Sequence, residues 1–183
     1  MRAIICRKWG TPDDLTIDDL SVPEMIDDGV RISVKACGVN FADTLMVSGE
    51  YQVRPPFPFS PGLEVSGDVL EVAPGITDFK PGDRVMAMVP WGGYADQVLA
   101  PETAVYKIPD TMNYVSAAAF PVAYGTSHIG LKNKLKLQKN ETLLVLGAAG
   151  GVGLTAVEIG KHIGATVIAA AGNKDKLLTA KNY

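Results

Sequence analysis

The residues best suited to chemistry form a glycine-rich turn in the last third of the chain. An apolar run at residues 142–146 leads into Gly147-Ala148-Ala149-Gly150-Gly151-Val152-Gly153, and apolar residues at helical spacing follow. This order brings unpaired backbone N–H groups and the positive end of a helix to one point, where a pyrophosphate binds. The sequence therefore predicts a dinucleotide site, with contacts from Gly147, Gly150, Gly151, Val152 and Gly153. The alternative is a turn whose glycines only let the helix pack closely on the strand.

The residues after the next apolar run, 165–171, indicate which dinucleotide binds. A carboxylate about 20 residues beyond the turn would bind a ribose hydroxyl and repel a phosphate there. Residues 171–176 offer amide and ammonium donors and only one, later, acid. The sequence therefore predicts NADPH rather than NADH, with Asn173 and Lys176 near the 2′-phosphate and Lys174 as a less favoured substitute. The alternative is that the two lysines only solvate the first turn of a helix.

The elements that must position this turn change in character near residue 120. Before it, short alternating or β-branched runs separated by Pro-Gly and Gly-Gly pairs predict a small barrel or partly open β-domain, with strands at residues 3–8, 30–36, 65–72, 84–89, 94–100 and 104–108. After it, the composition favours a helix over residues 123–131, with Pro121 as a kink or interruption. The pattern is completed by a buried strand, a helix ended by Gly164, a second buried strand and a helix starting at Lys174.

Composition excludes several classes of protein. The 183 residues include 17 Lys+Arg and 20 Asp+Glu, a formal charge of −3, with 47% hydrophobic residues. We expect a folded protein for which neither nucleic acid nor an anionic membrane is the main partner. No apolar run approaches the ~20 residues of a membrane-spanning helix, and the N-terminus does not read as a secretory signal, so a cytoplasmic protein is expected. Cys6 and Cys37 are predicted to be reduced packing residues.

Five stretches together carry a family resemblance. They are residues 36–43 (ACGVNFAD), 61–67 (PGLEVSG), 80–85 (KPGDRV), 123–126 (AYGT) and the glycine turn. In this order they resemble the medium-chain dehydrogenase/reductase superfamily, and within it the zinc-free NADPH:quinone oxidoreductases. The resemblance implies an α/β protein in which a GroES-like β-barrel domain, residues 1–120, is followed by the first part of a Rossmann domain, residues 121–183. It also implies an active site in the cleft between the two domains.

The resemblance carries expectations about metal and mechanism. In the superfamily's zinc alcohol dehydrogenases the cysteine and histidine ligands would fall at Asn40 and Leu63, and neither of these residues can perform that role. We therefore expect no metal, with a hydride supplied by NADPH. The family pattern places Asn40 and Thr126 near the nicotinamide and its ribose or phosphate, Tyr51 in the substrate cleft, and Glu64 at most behind them. The plainer alternatives are a turn residue for Asn40, an apolar wall for Tyr51 and a helix cap for Thr126.

The expected activity is metal-free reduction of a quinone by NADPH. Two alternatives stay open: reduction of an activated C=C bond in an enone or enoyl thioester, with Tyr51 as a proton donor, and a non-catalytic nucleotide-binding or structural module. The pattern contains two Rossmann strands of the six in a complete fold, so we expect a truncated form with little turnover of its own. The resemblance implies that the parent protein is a homodimer.

Overall fold

The computed structural model describes all residues from Met1 to Tyr183. The chain divides into two compact units, Met1–Pro121 and Val122–Tyr183. None of its helices combines the length and the apolar character needed to cross a bilayer.

The first unit is built on a curled antiparallel sheet. Its strands are β1 (Arg2–Ile5), β2 (Thr16–Asp19), β3 (Gly29–Cys37), β4 (Glu64–Val72), β5 (Arg84–Met88), β6 (Gln97–Pro101) and β7 (Val105–Lys107). Five of these form one sheet in the order β6-β3-β4-β5-β7, and β1 pairs with β2 separately. Alternating side chains point inward and form an apolar core of ten buried residues, centred on Val30, Ile32, Val65 and Val85. The β-domain predicted from the sequence is confirmed.

Two elements of this unit do not follow from the sequence pattern. Strand β2 is fully exposed, so it has no hydrophobic alternation to reveal it. Helix α1 (Phe41–Ser48) follows β3 after a three-residue connection and ends at Gly49 in the left-handed conformation, with φ 77°. Asn40 is the N-cap of α1. The plainer interpretation of Asn40 as a turn residue thus becomes, in the structure, a helix cap.

The second unit is a parallel strand pair with helices on one face. Its elements are the last part of α3 (Phe120–His128), a π-helical segment (Ile129–Lys134), β8 (Thr142–Leu146), α4 (Gly151–Ile163), β9 (Thr166–Ala170) and α5 (Lys174–Lys181). Helix α2 (Tyr114–Ala118) precedes α3 along the chain. Helix α3 runs through Pro121 and is not interrupted there, because Pro121 lies in the first turn, where no N–H is needed. The break between α2 and α3 falls at Ala119.

Both parallel strands were expected to be buried, and this is only half right. Leu143 and Val145 of β8 face the helices and are buried, whereas Leu144 and Leu146 are 57% and 76% exposed. Residues of β9 are half-buried or exposed. The physical reason is that α4 and α5 cover one face of a two-stranded sheet, so alternate residues on the other face have no layer to pack against.

Candidate functional site

The glycine turn joins β8 to α4 in the geometry that the sequence predicted. Gly147 has a φ of 68°, a left-handed conformation that favours glycine, and Gly150 is the extended N-cap of α4. The N–H of Gly150 donates to the oxygen of Gly147 at 3.0 Å, which closes the turn. The N–H of Ala148 donates to the oxygen of Ala170 at 3.0 Å, so the turn is fastened to the end of β9.

The first turn of α4 presents free hydrogen-bond donors. Gly151, Val152 and Gly153 are its first three residues, and the N–H groups at this end of a helix have no partner within the helix. These donors and the positive end of the helix dipole point to the same place. The turn therefore has the donors that a diphosphate requires.

The glycines of this turn serve two different purposes. A Cβ at Gly153 would lie 2.3 Å from the oxygen of Gly147 and 2.8 Å from Cα of Ala148, so only glycine fits there. A Cβ at Gly151 would meet no atom within 4 Å. Close packing of α4 on the turn thus accounts for Gly153, while the open space at Gly151 is where a ligand could approach the backbone.

A cavity of about 290 Å³ lies against the turn. It is lined by Gly147, Ala149, Gly150, Ala171, Gly172 and Lys176, which join the turn to the residues that follow β9. Asn173 is the N-cap of α5, and its side-chain oxygen accepts the N–H of Lys176 at 2.9 Å. Its amide NH₂ is left as the group able to donate to a phosphate. Lys174 is exposed, and neither Lys174 nor Asn173 lines the cavity.

Charge is segregated between the two units, which the whole-chain net charge hides. Residues 122–183 contain eight lysines against three acids, a formal charge of +5, whereas residues 1–121 contain nine Lys+Arg against 17 Asp+Glu, a formal charge of −8. The positive unit is the one with the glycine turn. A field of this sign favours association of a polyanion such as a dinucleotide and weakens with added salt.

Thr126 is exposed on α3 within the second unit. It lies inside the helix, which continues through His128 into the π-helical segment, so the alternative of a helix cap is wrong. The neighbouring residue Ser127 is buried and bonds to the first turn of α4.

Asn40 is held by two carboxylates in the first unit. Its Nδ2 donates to Oε1 of Glu64 at 2.9 Å, and its backbone N–H donates to Oδ2 of Asp43 at 2.7 Å. A carboxylate can only accept, so the amide NH₂ faces Glu64 and Oδ1 is left as an acceptor. Glu64 is 2% exposed and is the first residue of β4. Its backbone oxygen accepts the N–H of Gly38, which follows β3, at 3.1 Å. Glu64 thus orients Asn40, in line with the supporting position expected for it.

Asp43 joins three segments of the first unit and was not singled out from the sequence. In addition to Asn40, its carboxylate accepts the hydroxyl of Tyr94 at 2.8 Å and the N–H of Gly62 at 3.2 Å. Asp43 is 4% exposed. One local signal could have revealed Asp43: it lies three residues after Asn40, which is the spacing between the two residues of a reciprocal helix cap.

Tyr51 does not lie beside Asn40 along the backbone. Asn40 caps the start of α1 and Tyr51 follows its end, where its N–H donates to the oxygen of Leu45 at 3.0 Å. Helix α1 has eight residues and is therefore ~12 Å long, so Asn40 and Tyr51 lie at opposite ends of it. A substrate in contact with both residues must extend along α1, unless the half-buried side chain of Tyr51 reaches toward it.

The positions that correspond to zinc ligands have other roles in this chain. Asn40 bonds to Glu64, and Leu63 is an apolar residue that is 8% exposed. No group of three or more His, Cys, Asp or Glu side chains in the structure is arranged to hold a metal ion.

The two thiols are expected to be unreactive in the folded protein. Burial, and then the nearby charges of Asp43 and Glu64, raise the pKa of Cys37 to about 12, and burial raises the pKa of Cys6. The thiolate is the reactive form, and at pH 8 a thiol with that pKa is ~10⁻⁴ ionised. We expect neither cysteine to react with a disulfide reagent such as DTNB at pH 8 in buffer, and both to react in 8 M urea. Rapid titration of one thiol in the native state would contradict this prediction.

Comparison with known proteins gives a family match within the first unit and relatives along nearly the whole chain. Residues 26–110 match the alcohol dehydrogenase GroES-like domain. The chain is 40% identical over 97% of its length to the quinone oxidoreductase-like protein 2 homolog of Nematostella vectensis, of which it covers 48%. It is 37% identical over 96% of its length to the quinone oxidoreductase of Homo sapiens, of which it covers 54%.

A solved structure agrees with these relatives. The quinone oxidoreductase of Thermus thermophilus, solved alone and in complex with NADPH, superimposes with a TM-score of 0.86 at 37% identity, over 100% of this chain and 57% of that one. These similarities confirm the resemblance to the medium-chain dehydrogenase/reductase superfamily that the five stretches predicted. Within that superfamily its resemblance is to the quinone oxidoreductases. The chain spans about half the length of the curated relatives it matches.

Proposed function

We propose that this protein is an NADPH-dependent oxidoreductase that reduces quinones by hydride transfer without a metal. The observation that carries the proposal is the turn after β8: its cavity is lined by Gly147, Gly150 and Lys176, and Gly150 leads directly into the first turn of α4 with its free N–H groups. Relatives and solved neighbours that are named quinone oxidoreductases, some of them with NADPH, support the same conclusion. We further propose that the two units correspond to a catalytic domain, residues 1–120, and a nucleotide-binding domain, residues 121–183.

In this proposal the chain's own residues bind and orient. The N–H groups of Gly151, Val152 and Gly153 hold the diphosphate, and Asn173 and Lys176 bind the 2′-phosphate. NADPH, when bound, supplies the hydride. Asn40 offers Oδ1 to a hydroxyl donor, such as that of a ribose or of a newly formed hydroquinone, while Glu64 fixes its amide. Thr126 would contribute its hydroxyl to the cofactor, and Tyr51 would line the substrate site.

A metal is not needed for this reaction on chemical grounds. A quinone accepts a hydride readily because the product is aromatic and its oxygens are stabilised without a Lewis acid. The two positions where a zinc enzyme of the superfamily has ligands hold Asn40 and Leu63, of which one is an amide bonded to Glu64 and the other is apolar. From the family resemblance we also propose that the whole protein is located in the cytoplasm and assembles as a homodimer.

Cofactor choice provides the first test. We expect calorimetric titration of the chain to show NADPH binding at least tenfold tighter than NADH, because the ammonium of Lys176 borders the cavity and no carboxylate does. Lys176→Ala should remove most of this preference, raising the Kd for NADPH about tenfold and leaving that for NADH nearly unchanged. Lys174→Ala is the matched control, since this lysine lies two residues away and outside the cavity lining. Equal affinity for NADH and NADPH in the parent chain would refute the assignment.

Acceptor choice provides the second test. Steady-state rates of NADPH oxidation with a series of quinones should exceed those with enones and enoyl-CoA esters, measured on the full-length protein. A higher kcat/KM for an enone would assign C=C reduction instead, and Tyr51→Phe would then test its role as a proton donor. Absence of any saturable binding of NADPH would favour a structural module.

A further inference from the structure

Two buried hydroxyl groups lie beneath the phosphate end of α4. Ser127 on α3 and Thr155 on α4 are 4% and 5% exposed, and their oxygens are 2.8 Å apart. Ser127 Oγ donates to the oxygen of Val152 at 2.8 Å. Thr155 Oγ1 lies 3.0 Å from the same oxygen and 3.1 Å from that of Ala123. The sequence pattern singled out neither residue, and the proposed function does not use them.

The shared acceptor is significant because of its place in the helix. The carbonyl of Val152 and the N–H of Gly153 belong to one planar peptide unit. That N–H is one of the free donors at the start of α4. A hydrogen bond to the carbonyl of a peptide unit polarises it and strengthens the N–H on its other side. The hydroxyl pair therefore acts on a diphosphate donor through the peptide plane that bears it.

The number of hydrogens shows how the pair works. Each hydroxyl has one proton to donate, while the carbonyls of Val152 and Ala123 are both within reach of Thr155. With Ser127 donating to Val152, Thr155 can donate to Ser127 Oγ or to Ala123, and either bond ties α4 to α3. If one hydroxyl is removed, the other can still donate to Val152. Loss of the function thus requires loss of both.

We propose that Ser127 and Thr155 are positioning residues that aim and polarise the Gly153 N–H for the cofactor diphosphate. This inference rests on the proposed function, because it assigns the pair a role at the same nucleotide site. It predicts an effect confined to ligands that carry a diphosphate. It also predicts that the two substitutions are not additive, because they share one acceptor.

The experiment is a double-mutant cycle of Ser127→Ala and Thr155→Val, read by calorimetry with two ligands. NADPH carries the diphosphate, and adenosine 2′-monophosphate carries only the phosphate that Lys176 would bind. We expect each single variant to weaken NADPH about twofold and the double variant about tenfold or more, with little change for adenosine 2′-monophosphate. Thr155→Ser is the matched control: it deletes a buried methyl group and lowers the unfolding midpoint, but it keeps the hydroxyl and should keep the affinity for NADPH.

Three results would count against the inference, and they are distinguishable. A folded double variant with parental affinity for NADPH overturns it and leaves the proposed function intact. An equal loss for both ligands also overturns it, because general loosening of the unit would then explain the change. A parent chain that binds adenosine 2′-monophosphate but not NADPH refutes the proposed diphosphate site, and the inference fails with it.

Discussion

Replacing Gly153 with alanine is expected to abolish measurable NADPH binding and to destabilise the second unit by about 3 kcal/mol. The added Cβ would lie 2.3 Å from the oxygen of Gly147 and 2.8 Å from Cα of Ala148. Both are backbone atoms, so neither can be relieved by a change of rotamer. Helix α4 must move away from the turn, and the three N–H donors move with it. Calorimetric titration with NADPH would report the first effect, and hydrogen exchange of the α4 amides the second.

The matched control is Gly151→Ala, two residues earlier in the same helical turn. A Cβ at this position meets nothing within 4 Å, so the hydrogen-exchange protection of α4 should change by less than about 0.5 kcal/mol. The two substitutions add the same methyl group and differ only in the space that receives it. Equal protection in the two variants would mean that close packing is not what requires glycine at residue 153.

What the sequence predicted well was encoded in neighbouring residues. The glycine turn, β8 and the helix at Lys174 are defined by glycine, an N-capping Asn173 and a short apolar run, all within a few residues of one another. Such signals act before any tertiary contact forms. The five family stretches allowed the β-domain to be predicted as well, and its strands also show regular alternation of apolar and polar residues.

What the sequence did not predict depends on contacts between distant residues. Ser127 and Thr155 are 28 residues apart, and Asp43 and Tyr94 are 51 residues apart, so no local pattern links them. The exposed β2 lacked alternation, and the segregation of charge became visible only when the chain was divided into its two units. Hydroxyl and carboxylate groups that bond to distant backbone are indistinguishable from surface residues until the fold brings their partners to them.

Asp43 illustrates the energetic weight of such a contact. Asp43→Ala would leave three donors without an acceptor: the N–H groups of Asn40 and Gly62, and the hydroxyl of Tyr94. Burial, followed by the bond to Asp43, raises the pKa of Tyr94, so its hydroxyl stays protonated and needs an acceptor at any pH where the protein is studied. Since each unsatisfied buried group costs about 1–3 kcal/mol, we expect the free energy of unfolding of the first unit to fall by about 4 kcal/mol.

Urea unfolding followed by tryptophan fluorescence measures this directly, because Trp9 and Trp91 both lie in the first unit. Tyr94→Phe is the control, since it removes one donor and leaves the carboxylate bonded to the two N–H groups; its expected cost is about 1 kcal/mol. In the double variant the loss should be smaller than the sum of the two, because the phenol is no longer present to be left unpaired. Additive losses, or an Asp43→Ala variant as stable as the parent, would show that the carboxylate does not join these segments energetically. If the expected loss is found, the acid three residues into α1 is what holds Asn40, the turn at Gly62 and the segment at Tyr94 in one arrangement.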